Sequence, residues 1–150
     1  MGQLTSLLEW DAWGNNLEGT IPEEIYHKLT VVNALILGSN NLSGTISTSI
    51  GSLRQLSFLI LRDNPNLTGT LPTELATLSL LRRLDVDGTG MVGPVPDIVC
   101  AQKGEVFLAR FRADCLPVAN QNDTIPMFCP KQCCSKCCNR ETGDCVSTGY

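Results

Sequence analysis

The chain has 150 residues and a formal net charge of −4, with 17% charged and 43% hydrophobic residues. That length bounds it to one domain or one piece of a longer array, and the lack of any Lys/Arg cluster argues against a nucleic-acid partner. The longest apolar runs, such as Ala34 to Leu37, fall far short of the ~20 residues a membrane-spanning helix needs.

At the amino terminus, Met1 to Ser6 fits the short myristoylation pattern, with Gly2 second and a hydroxyl sixth. Lipidation is not expected there, because Leu4 and Leu7 already hold repeat positions and the modification belongs to the cytosol, against the cysteine pattern below. The same two leucines leave no room for a signal peptide. The chain is therefore expected to begin inside an array, as a fragment, since terminal copies normally carry a polar cap.

Four copies of one phrase follow: LEGTIPEEI from Leu17, LSGTISTSI from Leu42, LTGTLPTEL from Leu67 and MVGPVPDIV from Met91. Gly19, Gly44, Gly69 and Gly93 lie 25, 25 and 24 residues apart. A period in the twenties marks a solenoid, whose units bury their apolar faces only against one another. Ahead of each glycine stands an LxL-like pair: Trp10 and Ala12, Leu35 and Leu37, Leu59 and Leu61, Leu84 and Val86. Its period of two predicts a short strand with both residues facing one way. The tail after each proline position, ending at Ile25, Ile50, Leu75 and Val99, suits a short helical or 3₁₀ turn.

Asn15, Asn40 and Asn64 precede the glycines and are expected inside the turn, where an amide can satisfy backbone groups freed by the bend. Thr89 replaces asparagine in the fourth copy, so the ladder should weaken there. Copy three carries an extra residue, Pro65 or Asn66, which should bulge the loop after its strand.

The resulting template, LxxLxxLxLxxNxLxGxIPxxI, resembles the plant-type leucine-rich repeat (LRR) over roughly the first two-thirds of the chain. The resemblance implies an α/β repeat solenoid, a right-handed superhelix with a parallel β-sheet on its concave side. The GxIP segment would shape the other side, often with a second short strand.

All eight cysteines fall after residue 99: Cys100, Cys115, Cys129, Cys133, Cys134, Cys137, Cys138 and Cys145. That lopsidedness divides the chain into four repeats over 1–99 and a capping region over 100–150. Within the second part, residues 106–114 read as one more strand, with Leu108, Phe111 and Ala113 where copy four has Leu81, Leu84 and Val86. It is expected to be the last strand, closing the core before the cysteine-rich tail. An even number of cysteines in an oxidising compartment allows four disulfides with 105 conceivable pairings. The alternative is zinc, for which Cys134 and Cys137 have CxxC spacing, but no separated second ligand pair is evident and the sole histidine is His27. Disulfides are the favoured reading, with adjacent cysteines bonded to different partners. The FxADC…CC-x-x-CC form is similar to the tails of secreted or surface LRR proteins of microalgae.

Sequons at Asn41, Asn66 and Asn122 are candidate glycosylation sites and fit the same compartment. Asn41 and Asn66 occupy the same exposed spot one turn apart, although asparagine also suits this loop for its turn chemistry.

Function is expected on the strand residues that flank the buried pairs. These are Glu9, Asp11 and Trp13 in copy one, Ile36 in copy two, Phe58, Ile60 and Arg62 in copy three, and Arg83, Asp85 and Asp87 in copy four, with Arg110 and Arg112 on the last strand. Trp13, Ile36, Phe58 and Ile60 would form an apolar group ringed by acids and arginines, the composition that binding hot spots favour. The competing reading has some of these side chains packed sideways against neighbouring copies. Catalysis is not expected: His27 sits in the loop between repeats, no phosphate-cradling loop is present, and Asp85 and Asp87 on an open face lack a dry pocket and should be solvated, with Arg62, Arg83 and Arg112 as candidate ion-pair partners.

The reading that results is an extracellular or cell-surface recognition module, binding a protein, peptide or glycan on its concave face, with no cofactor, no metal, no nucleic acid and no membrane contact of its own. It could belong to a receptor-like surface protein. The alternative is a non-signalling wall or matrix component that adheres to polysaccharide, inhibits a wall-degrading enzyme, or binds ice weakly through the row Thr20, Thr45 and Thr70, which Pro94 interrupts.

Overall fold

A computed structural model describes residues 5–96 and, beyond them, the strands of residues 110–114, 136–138 and 145–147 as backbone. Each LxL-like segment forms one short strand: β1 (Glu9–Asp11), β3 (Ala34–Ile36), β5 (Phe58–Ile60) and β6 (Arg83–Asp85). They pair in parallel and in strict register, with Trp10 beside Leu35, Leu35 beside Leu59, and Leu59 beside Leu84. A 25-residue period thus becomes a column of leucines, because identical positions of successive copies fall side by side. Leu35, Leu59 and Leu84 are fully buried, as are Leu53, Leu56 and Leu78 from the segments entering and leaving the strands.

On the other side, the residues around each glycine build a second, two-stranded parallel sheet, β2 (Glu18–Thr20) with β4 (Asn41–Ser43). A bridge from Gly44 to Leu67 continues it into the third copy. Gly44 shows why the template demands glycine there. Its φ is +79°, and the Thr20 methyl lies 2.8 Å from where a Cβ would stand, so any side chain meets both a left-handed backbone and a filled site.

The tails close each rung with a short turn of helix: α1 (Glu23–Lys28) and two 3₁₀ turns, Thr48–Ser52 and Thr73–Thr77. His27 is therefore in the last turn of α1 rather than in a loop.

Asparagine stitches the rungs together. Asn64 donates through Nδ2 to Leu61 O (2.8 Å) in its own rung and to Leu37 O (3.0 Å) in the preceding one, while its Oδ1 accepts from Leu42 N (3.0 Å). Asn40 repeats this one rung earlier, with Ala12 O at 2.9 Å and Leu17 N at 2.9 Å. Asn15 is exposed and bonds only to Ala12 O and Trp13 O of its own rung. The Thr89 hydroxyl is too short to reach across: it donates to Val86 O (2.7 Å) and accepts from Met91 N (3.4 Å), both in its own copy. The expected weakening of the ladder in copy four has this cause. The extra residue of copy three is accommodated in a turn at Pro65 and Asn66.

The sheet runs on past the repeats. β7 (Arg110–Asp114) pairs in parallel with β6, placing Phe111 beside Leu84, and Ala113 is fully buried. It is not the last strand, however. β8 (Lys136–Cys138) adds in parallel to β7, and β9 (Cys145–Ser147) pairs antiparallel with β8, giving a seven-stranded sheet. The expectation fails because three-residue strands of cysteine and polar residues carry no apolar period to read. Cys100, Cys115, Cys129, Cys133, Cys134, Leu108 and Asn122 lie outside the described residues.

Tyr26 is the one fully buried phenol of the described core. Its hydroxyl lies near the Ser47 backbone without a well-formed hydrogen bond, and burial pushes its pKa up to about 12, with Glu23 adding to the rise. The neutral phenol is thus favoured by folding: the contribution is present below the ordinary tyrosine pKa of about 10 and disappears as pH rises through 12. Alkaline absorbance titration should therefore show one tyrosine delayed by about two units. Tyr26→Phe should remove that step and keep the chain folded to higher pH than the parent.

Candidate functional site

The candidate ligand residues lie on the strands of the large sheet or two residues past their ends, and those whose side chains are described fall into free and committed groups. At the first rung, Glu9 and Asp11 are exposed, and one Asp11 carboxylate oxygen accepts from Trp13 N at 2.9 Å, which holds the turn after β1. Trp13 is 44% exposed and Phe58 42% exposed. Ile36 is half-buried between them in sequence order, in register with Asp11 on one side and Ile60 on the other.

Three expected surface residues are buried instead. Ile60, Asp85 and Asp87 retain 5%, 0% and 4% of their surface. Parallel neighbours about 4.8 Å away on both sides leave little room over the middle rungs, and the arginines lie down on the acids. Arg83 Nε donates to Asp85 Oδ2 at 2.9 Å. Arg62 Nε donates to Asp63 Oδ2 at 3.0 Å and stands 3.6 Å from Asp87 Oδ2. The cations that meet these carboxylates offset part of the cost of burying them. Asp85 and Asp87 are thus paired as the sequence suggested but not solvated, and Arg62 and Arg83 spend their charge on the protein itself. Arg110 and Arg112 stand on β7 in register with Arg83 and Asp85.

Trp13 also does structural work, as the sideways-packing reading anticipated. Its ring lies against Gly38 of the next rung: a Cβ on Gly38 would meet Trp13 Cζ3 at 2.3 Å and Cε3 at 2.6 Å. The Arg62 guanidinium of the third rung stands 5.7 Å from the ring centroid, within cation–π range. Trp13, Gly38, Arg62 and Asp87 occupy the same position of successive copies, two residues past the strand end. Gly38 was not among the candidate ligand residues, since its role depends on the Trp13 ring that reaches it from the rung before.

On the opposite side, Thr20, Thr45 and Thr70 are exposed, and each methyl packs toward the glycine of the following copy, Gly44, Gly69 and Gly93. Asn66 Nδ2 donates to Asn41 Oδ1 at 2.8 Å, so two of the candidate glycosylation sites touch each other. Among the described residues, no group of three or more His, Cys, Asp or Glu is arranged to hold a metal ion.

No family model and no curated protein matches the chain. Solved structures do. The plant peptide hormone receptor RGFR1, in complex with RGF2, is 38% identical with a TM-score of 0.64, over 67% of this chain and 16% of that one. The LRR ectodomain of the Arabidopsis thaliana membrane receptor kinase GASSHO1/SCHENGEN3, in complex with CASPARIAN STRIP INTEGRITY FACTOR 2, is 36% identical with a TM-score of 0.61, over 65% and 12%. This is a plant-type leucine-rich repeat protein. A plant ice-binding protein shares the fold at a TM-score of 0.65 and 27% identity, over 86% of this LRR chain and 38% of the other. The LRR chain spans well under two thirds of each of these neighbours.

Proposed function

We propose that the chain is an extracellular ligand-recognition LRR module, with repeats over 1–99, a capping region over 100–150, and its site on the inner, concave face of the large sheet. The observation that carries this is the pair of exposed aromatics, Trp13 and Phe58, standing on a rigid parallel ladder. Nothing in the packing of the core asks for a large apolar side chain at Phe58, and rigid aromatics are what binding hot spots favour. One neighbour of the same fold is a peptide hormone receptor in complex with RGF2 and another a receptor kinase ectodomain in complex with CASPARIAN STRIP INTEGRITY FACTOR 2, which supports a protein or peptide as the ligand class.

Charge narrows the partner further. Arg62 and Arg83 are engaged with their own acids, so among the residues whose side chains are described the free charge beside the aromatics is that of Glu9 and Asp11. The best-fitting ligand is an extended peptide with an apolar side chain over Phe58 and a basic one over the first rung. A random-peptide display library panned on the intact chain is the direct test. Enriched peptides should combine Arg or Lys with an aromatic or aliphatic residue. Phe58→Ala and Glu9→Arg should each weaken capture of those peptides at least about tenfold, as expected for a hot-spot residue and a reversed contact charge. Equal capture by both variants, with circular dichroism unchanged, removes the site.

A second reading has one specific observation in its favour. The likeness to the ice-binding protein covers more of this chain than the receptor likenesses do, and the Thr20, Thr45 and Thr70 row is exposed with its methyls in fixed positions. Ice-recrystallisation inhibition that is abolished by Thr45→Tyr and untouched by Phe58→Ala would select this reading over the first.

A further inference from the structure

Independently of the ligand face, we infer that Cys138 and Cys145 are joined by a disulfide that closes the β8–β9 hairpin. The two residues are direct partners in the antiparallel register of those strands, next to the Cys137–Val146 and Lys136–Ser147 pairs. Directly opposed residues in an antiparallel pair have Cα atoms about 4.5 or 5.5 Å apart, and both values lie inside the range a disulfide bridges without moving the backbone.

Register also separates Cys138 from its neighbour Cys137. Along β8 the side alternates with every residue. Cys137 is in register with Ala113 of β7, and Ala113 belongs to the fully buried column that continues Val86. Cys138 is in register with Asp114 instead, on the other side of the strand. The adjacent cysteines are thus assigned to different faces and different partners. With one pair set, the remaining six cysteines have 15 conceivable pairings in place of 105.

Bond formation removes one proton and one electron from each thiol. The electrons pass to a disulfide-bearing oxidant by thiol–disulfide exchange, which is reduced to two thiols. The bond seals the last two strands of the sheet, where no leucine column holds the backbone. Its natural setting is an oxidising compartment.

Tryptic mapping of the unreduced, alkylated protein tests this, because Arg140 lies between the two cysteines and cleavage after Lys136 frees the first of them on a short peptide. The peptide 137–140 should be linked to the peptide 141–150, and reduction should release both. Cys137→Ser should leave that link intact, while Cys138→Ser should expose Cys145 to alkylation before reduction. If either variant fails to fold, electron-transfer fragmentation of the parent species between Cys137 and Cys138 reads the same assignment. Alkylation of Cys145 in the unreduced parent, or its linkage to any cysteine other than Cys138, overturns the pairing.

Discussion

Replacing Asn64 by alanine should cost the chain about 2–4 kcal/mol, the scale of leaving several buried backbone groups unpaired. The side chain is completely buried and serves Leu42 N, Leu37 O and Leu61 O. Alanine provides no donor or acceptor for these groups. For a domain of this size the midpoint of thermal unfolding should fall by about 4–16 °C. The matching control is Asn15→Ala, since Asn15 is exposed and bonds only within its own rung. That variant should lie within about 1 kcal/mol of the parent, a single ordinary hydrogen bond or less. Equal losses at the two sites would show that the contacts between rungs are not what these amides contribute. Denaturant unfolding followed by circular dichroism measures both.

The second large effect is expected at Gly38. A Cβ there would overlap the indole of Trp13, with the Arg62 carbonyl 3.2 Å away on another side. Gly38→Ala should expel the ring, lose its stacking beneath Arg62, and destabilise the chain by about 1–3 kcal/mol, as overpacking does. Tryptophan emission should shift to longer wavelength as the ring enters water, and capture of the selected peptides should fall with it. The cause is separable by a double-mutant cycle. In a Trp13→Ala background the same Gly38→Ala change should cost less than about 0.5 kcal/mol, because the obstructing ring is gone and the sites are otherwise independent. An unchanged cost would place the strain at the Arg62 carbonyl instead.

These two positions also mark how far the chain could be read in advance. Asn64 and Asn40 were legible because an amide at a fixed place in a 25-residue period must serve one recurrent backbone need. The same logic exposed the leucine column, the short turns that close each rung, and the strand at Phe111. All follow from residue type and spacing, since in a solenoid sequence distance and spatial distance are tied by the period. Gly38 was not legible, because its meaning depends on a ring reaching from the rung before it and a guanidinium from the rung after.

The repeat architecture and its register were determined by the sequence alone: each copy contacts only its neighbours, so one period specifies every interface. Which face residues remain free was decided by the tertiary structure. Arg62 and Arg83 could have faced a ligand, yet they lie on Asp63, Asp87 and Asp85, and Ile60 is buried. The last two strands were likewise settled only in three dimensions. Their pairing rests on backbone hydrogen bonding to an existing sheet edge, which any residue but proline can donate, and so leaves no trace in composition.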